Sequence, residues 1–327
     1  MGRLIIFRKV SHVLISVVVP IYNEEAIIPE LHRRLSAVMA AMPETYELVF
    51  VNDGSRDRSV ELLRDLTARD PHSRLVNLSR NFGHQIAITA GMDHAQGDAV
   101  VIIDADLQDP PEVIPELAAK WREGFDVVYA VREQRHGESL FKRATAAGFY
   151  RLISKITNVD IPVDTGDFRL MSRTAVEGLK RVREKNRFVR GLVAWLGFKQ
   201  TGVKFVRHER FAGTTKYPLK KMLKFAFDGI TSFSFLPLQL ATYMGFLVSG
   251  ASFLGILYVV YLRLFAHATI IGWASLMAVV LFLGGVQLIT IGIIGEYIGR
   301  IYEEVKGRPL YLTQEVLGFE EKTSLKI

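Results

Sequence analysis

No cysteine occurs among the 327 residues, which excludes disulfides, thiolate metal sites and a cysteine nucleophile, and is compatible with a reducing cytosolic setting. Two glycine signatures are also missing. Neither GxGxxG nor GxxxxGK(S/T) follows any apolar run, so neither a dinucleotide-binding turn nor a P-loop is supported. The first 235 residues lack any long uncharged apolar stretch, yet the chain is 49% hydrophobic against 23% charged, with net charge +7 and a mean hydropathy of +0.19. The apolar excess therefore lies in the last third.

Two uncharged runs account for it, 237–262 (PLQLATYMGFLVSGASFLGILYVVYL) and 268–295 (ATIIGWASLMAVVLFLGGVQLITIGIIG). Each exceeds the roughly 20 residues a helix needs to cross a hydrocarbon core. The link between them is too short to hold a domain, so the pair reads as a transmembrane hairpin. Lys216, Lys220, Lys221 and Lys224 precede it, and Arg300, Lys306 and Arg308 follow. The positive-inside rule then puts both ends in the cytosol. The N-terminal LISVVVP is too brief for a signal peptide and lacks a small-residue cleavage site. Residues 1–235 are expected to form a cytosolic catalytic domain, 237–296 the hairpin and 297–327 a cytosolic tail, in an inner-membrane protein.

Within the first 235 residues, β-rich runs at 14–20, 47–51, 74–78, 99–103 and 126–130 alternate with helix-period segments at 24–42, 57–69, 83–96 and 112–122. That alternation predicts an α/β fold with a doubly wound, mostly parallel sheet. Ligands of such sheets bind beyond the carboxyl ends of the strands. Polar residues gather there: Tyr22-Asn23-Glu24 after the first strand, Asn52-Asp53-Gly54-Ser55 after the second, Asp104-Ala105-Asp106 after the fourth. Any one of these reads equally as a cap or turn, and Asp109-Pro110-Pro111 reads as a solvated turn as readily as a site. Three acidic strand ends on one edge point to a cation or a substrate, because clustered carboxylates are costly to desolvate alone.

VVVPIYNEE, VFVNDGSRDRS, NFGHQIAITAGMDHAQGD, IDADLQDPPE, DTGDFRLM and HERFAGTTKYPLKKM together resemble the GT-A glycosyltransferases of family 2, in particular the polyprenyl-phosphate glycosyltransferases. That group includes the bactoprenol glucosyltransferases and the dolichol-phosphate mannosyltransferases. The likeness runs over nearly the whole chain, hairpin included, and is weakest over residues 1–10.

The resemblance implies a metal-dependent, inverting transferase that uses a nucleotide-sugar donor. Asp104 and Asp106 would supply hard oxygens to Mg²⁺ or Mn²⁺ and contact the donor diphosphate, with Gln108 adding a neutral oxygen. Asp53 would hold the base or ribose, with Pro20, Tyr22 and Glu24 lining that pocket; packing is the other reading of Tyr22. The acceptor would be a polyprenyl phosphate, bound through Arg132, Arg169, Arg210 and Lys216. Arg169 could instead simply pair with Asp167. Asp167 occupies the position usually given to a catalytic base, but a phosphate monoester is already largely ionised near neutrality, which leaves orientation as its alternative role. UDP-glucose is the first donor implied, ahead of GDP-mannose and UDP-linked aminoarabinose.

Two stretches mix basic with apolar residues at roughly helical spacing, 140–156 (LFKRATAAGFYRLISKI) and 216–235 (KYPLKKMLKFAFDGITSFSF), as interfacial amphipathic helices do. Packing on the soluble core is the alternative for the first. Small-residue surfaces in the hairpin (GASFLG, FLGGVQ) lead us to expect a homo-oligomer. No nucleic-acid partner is expected. A processive polysaccharide synthase would carry QxxRW and more membrane helices, and RFVRGLVAWLGF does not provide that motif. A non-catalytic membrane anchor would leave the acidic strand ends idle.

Overall fold

The computed structural model describes residues 13–133, 165–206, 236–265 and 272–319. The expected interfacial stretches 140–156 and 216–235, together with Arg210 and Lys216, lie outside the described residues. The chain divides into two units: Met1–Arg151, Val159–Tyr217 and Pro309–Ile327 form one, and Leu152–Asn158 and Pro218–Arg308 form the other.

The first unit is an α/β domain. Its elements run β1 (Leu14–Ile21), α1 (Ile28–Ala40), β2 (Thr45–Asn52), α2 (Ser59–Arg69), β3 (Ser73–Leu78), α3 (His84–His94), β4 (Ala99–Ile102), α4 (Ile114–Arg122), β5 (Val127–Arg132), β6 (Thr165–Ser172), α5 (Arg173–Arg181), α6 (Val189–Trp195) and β7 (Gln200–Phe205), and β8 (Thr313–Leu317) follows far downstream. The sheet order is β7-β5-β6-β4-β1-β2-β3-β8. Its centre, β4-β1-β2-β3, is parallel, as the alternation of strands and helices predicts. Helices cover both faces of such a sheet, so its strands read as continuous apolar runs; seven of the eight residues of β1 are buried. In α1 the buried Ile28, Leu31, Leu35 and Met39 recur at helical spacing, and Pro29 lies in the first turn, where its missing N–H costs nothing. Helix α3 is buried over most of its length, and Gly91 allows its close approach to β1: a Cβ there would lie 2.2 Å from Val18 Cγ1.

Three strands go beyond the predicted set and make the sheet mixed. β6 (TGDFRLMS) runs antiparallel between β4 and β5, and all eight of its residues are buried, although Asp167 and Arg169 interrupt its apolar pattern. β7 pairs parallel with β5. β8 closes the far edge antiparallel to β3; Glu315 on it meets Arg64 at 2.9 Å.

The second unit contains α7 (Leu236–Phe265) and α8 (Trp273–Val305), which pack against each other. Both are long and apolar enough to cross a membrane, over Pro237–Gly255 and Phe282–Val305, and almost none of either stretch is buried. Relative to the expected 268–295 span, α8 starts later and continues to Val305.

Candidate active site

The loops after β1 and β2 hold each other through hydrogen bonds that cross from one loop to the other. Asn23 N donates to Ser55 Oγ at 2.9 Å, and Arg56 N donates back to Asn23 Oδ1 at 2.8 Å. Glu24 N donates to Ser59 Oγ at 3.0 Å. Asn23 adopts φ +56°, a left-handed conformation that Asn tolerates better than most residues. The strings YNEE and NDGSRDRS are thus two halves of one interlocked turn.

Asp53 extends this to the loop after β3. Its carboxylate accepts from Phe82 N at 2.7 Å and Gly83 N at 3.0 Å. Burial raises its pKa against the lowering effect of those two amides. Gly54 (φ +66°) lies beneath Arg80 and Asn81, where a Cβ would come within 2.5 Å of both backbones. Only glycine accommodates both the conformation and the contact.

A cavity of about 370 Å³ opens at these strand ends. Pro20, Tyr22, Glu24, Asp53, Asp104 and Asp106, all expected at the site from sequence, line it together. Asn81 and His84 line it as well; both belong to the NFGHQ string, but nothing local marks them as site residues. The turn carrying the two acids is strained, since buried Leu107 has φ +56°, which an apolar residue rarely adopts. Asp106 Oδ1 accepts from Gln108 N at 3.1 Å, so Gln108 reaches the site through its backbone; its side chain does not line the cavity.

Asp104 is the electrostatically exposed member. Burial, joined by the nearby charges of Asp167, Asp109 and Asp106, pushes its pKa up to about 6 against the opposing pull of His84. Its Oδ1 is buried with no hydrogen-bond partner among the described residues. His84 Nε2 lies 3.5 Å from that oxygen and 3.1 Å from Asp167 Oδ2. Burial disfavours the charged imidazole, but the Asp167 hydrogen bond and the Asp104 charge outweigh it and raise its pKa. His84, Asp104 and Asp167 offer ligand atoms within 4.8 Å of one another. An unpartnered buried carboxylate oxygen beside further O and N donors fits a hard divalent cation such as Mg²⁺ or Mn²⁺.

Antiparallel β6 brings Asp167 to this corner, two residues beyond the Ile102–Arg169 pair. Burial would raise its pKa, but the His84 hydrogen bond and the Arg190 guanidinium hold it well below the usual carboxylate range. Arg169 is only 2% exposed. It donates to the carbonyls of Gly166 at 2.9 Å and Asp167 at 3.3 Å, and burial lowers its pKa to about 10. Its place is inside, beside Asp167, where an acceptor phosphate would not meet it. Arg132, at the end of β5, is partly exposed; its Nη2 lies 3.6 Å from the fully buried Asp109 and packs where a Cβ on Gly166 would sit at 2.7 Å.

Glycosyl transferase family 2 matches residues 16–179, and the GtrB C-terminal hairpin matches 236–301. The chain is 60% identical over 311 residues to an uncharacterized glycosyltransferase, YkcC, of Bacillus subtilis, covering 95% of this chain and 96% of that one. It is 46% identical over 301 residues to the SfII prophage-derived bactoprenol glucosyl transferase of Shigella flexneri, covering 92% and 97%. Among solved structures, glucosyl-3-phosphoglycerate synthase of Mycobacterium tuberculosis in complex with UDP superposes with a TM-score of 0.49 at 21% identity, over 68% of this chain and 79% of that one.

Proposed function

This chain belongs to glycosyl transferase family 2, and we propose that it transfers glucose from UDP-glucose to a polyprenyl phosphate at the membrane surface, releasing UDP. The observation that carries the reading is likeness to a bactoprenol glucosyl transferase over 92% of the chain, a span that takes in the apolar hairpin as well as the α/β domain. In the proposed step an acceptor phosphate oxygen attacks the anomeric carbon from the side opposite the diphosphate. The bond from that carbon to the diphosphate oxygen breaks, and the configuration inverts. The acceptor phosphate arrives largely ionised near neutrality, so no side chain needs to take a proton from it.

Asp53, Pro20, Tyr22 and Glu24 hold the nucleotide in this reading. Asp104 and Asp106, with Gln108 close by, would hold Mg²⁺ or Mn²⁺, which when bound supplies the positive charge that a departing diphosphate needs. Arg132 meets the acceptor phosphate; Arg210 and Lys216 are assigned the same role from sequence alone. Asp167 serves orientation. A transfer panel with undecaprenyl phosphate and radiolabelled UDP-glucose, GDP-mannose and UDP-aminoarabinose tests the assignment, and labelled lipid from either of the latter two alone would replace it.

For the membrane, we propose that the helical pair spans the inner membrane with the α/β domain in the cytosol. The flanking lysines and arginines support this orientation. Single cysteines at His267→Cys and Ser324→Cys test it, since the chain has no others: an impermeant reagent outside intact cells should label the first and spare the second. We also propose a homo-oligomer. Gly245, Gly250, Gly284 and Gly292 have open space where a Cβ would sit, so these glycines are free for helix contacts other than the one between α7 and α8. Crosslinking in membranes that yields monomers alone would count against it.

A further inference from the structure

Asp167 is 4% exposed, and four donors converge on its carboxylate. Arg190 approaches with two prongs, Nε to Oδ1 at 2.8 Å and Nη2 to Oδ2 at 3.2 Å. His84 Nε2 lies 3.1 Å from Oδ2, and Gln85 Nε2 donates to the same oxygen at 3.2 Å. Three of these contacts fall on Oδ2 and one on Oδ1, so the carboxylate is held in both position and plane. Asp167 is absent from the cavity wall, whereas His84 lines it. The carboxylate therefore works from behind the imidazole.

The guanidinium is itself held in place. Arg190 Nη1 donates to Thr165 O at 3.2 Å, and at the neighbouring residue Val189 N donates to Gln85 Oε1 at 3.0 Å. Gln85 thus bridges the start of α3, the start of α6 and Asp167. A fork-on-carboxylate pair fixes both distance and plane, which a single-pronged ammonium does not.

Resting on the glycosyl-transfer reading above, we infer that Arg190 is a positioning residue: its fork locks the Asp167 carboxylate, and Asp167 in turn holds His84 at the cavity wall beside Asp104. Arg190 touches neither donor nor acceptor in this scheme. Its fork acts on the reaction through Asp167, and that dependence can be measured.

The test is a double-mutant cycle on the full-length protein in membranes, with Arg190→Gln, Asp167→Asn and the double variant. Two quantities are read: kcat at saturating undecaprenyl phosphate and UDP-glucose, and the Kd for UDP-glucose. Arg190→Gln should lower kcat by about 10- to 100-fold, within the span of coupling energies for residues in one hydrogen-bond network, and leave Kd within about twofold. The double variant should be no slower than the slower single one. Arg190→Lys should fall between wild type and Arg190→Gln.

Losses that multiply in the double variant, a Kd that weakens in step with kcat, or a wild-type kcat in Arg190→Gln would each overturn the inference. If Arg190→Gln does not fold, the same cycle is read with Arg190→Lys. The wild-type control keeps the two readings apart: a wild type that transfers a different sugar overturns the glucose assignment, and the cycle is then read with that sugar.

Discussion

The two walls of the cavity are built in different ways. On the donor wall, the loops after β1, β2 and β3 are tied by backbone amides: Asp53 takes the N–H groups of Phe82 and Gly83, and Asn23 and Ser55 bind each other's loops. At the acid corner between β4 and β6, charged side chains face one another: Asp104, Asp167, His84 and Arg190. Two buried aspartates show the consequence. Asp53, with neutral amides, is raised by burial, while Asp167, with a guanidinium and an imidazole, is held well below the carboxylate range. Amides fix a shape, and charges fix a field.

The largest expected effect falls at the acids proposed to hold the metal. Asp106→Asn should weaken metal-dependent UDP-glucose binding and slow transfer by roughly 10³-fold, since a metal clamp supplies several kcal/mol of charge stabilisation. Calorimetry with and without Mn²⁺ checks the first part and a transfer assay the second. Unchanged donor binding would remove Asp106 from the metal site.

On the donor wall, Asp53→Ala strips two amides of their acceptor, and each buried group left unsatisfied costs about 1–3 kcal/mol. Thermal unfolding should show the loss, and donor Kd should weaken more than kcat at saturation. A kcat defect without a Kd defect would mean that the two walls do not divide the work in this way.

The pH dependence should separate the two acids of the corner. With a pKa raised to about 6, Asp104 favours its protonated form in the fold. Its contribution to metal-free stability is therefore present below its unfolded value and is lost as pH rises through about 6. Asp167 has the opposite sign: its contribution is present above the unfolded value and is lost as pH falls through a folded pKa well below the usual range. Protons compete with metal at Asp104, so Mn²⁺ affinity should weaken as pH falls below about 6, by up to about tenfold per unit. Paramagnetic-resonance titrations between pH 5 and 8 would show it, and a flat profile would exclude Asp104 as a ligand. Glu315→Gln, on the partly exposed pair with Arg64 remote from the acid corner, should cost at most about 1 kcal/mol and leave kcat unchanged.

Much of this protein is legible along the chain because the signals are local. Apolar runs ending in turn residues mark β1 to β5, the two uncharged spans mark α7 and α8, and six expected residues from three separate strand ends line one cavity. The remainder depends on contacts between distant segments. The pattern of β6 is broken by Asp167 and Arg169, and its antiparallel insertion beside β4 follows from pairing that no residue in TGDFRLMS announces. That insertion turns Arg169 inward and sets Asp167 beside His84, 83 positions earlier in the chain. RFVRGLVAW, which lacks the QxxRW pattern, shows no local sign of a site until α6 docks and Arg190 reaches Asp167. Hydrophobic period and turn chemistry act over a few residues and locate strand ends, whereas which charges share a corner is decided by strand order and helix packing, where burial makes an unpaired charge costly and selects its partner.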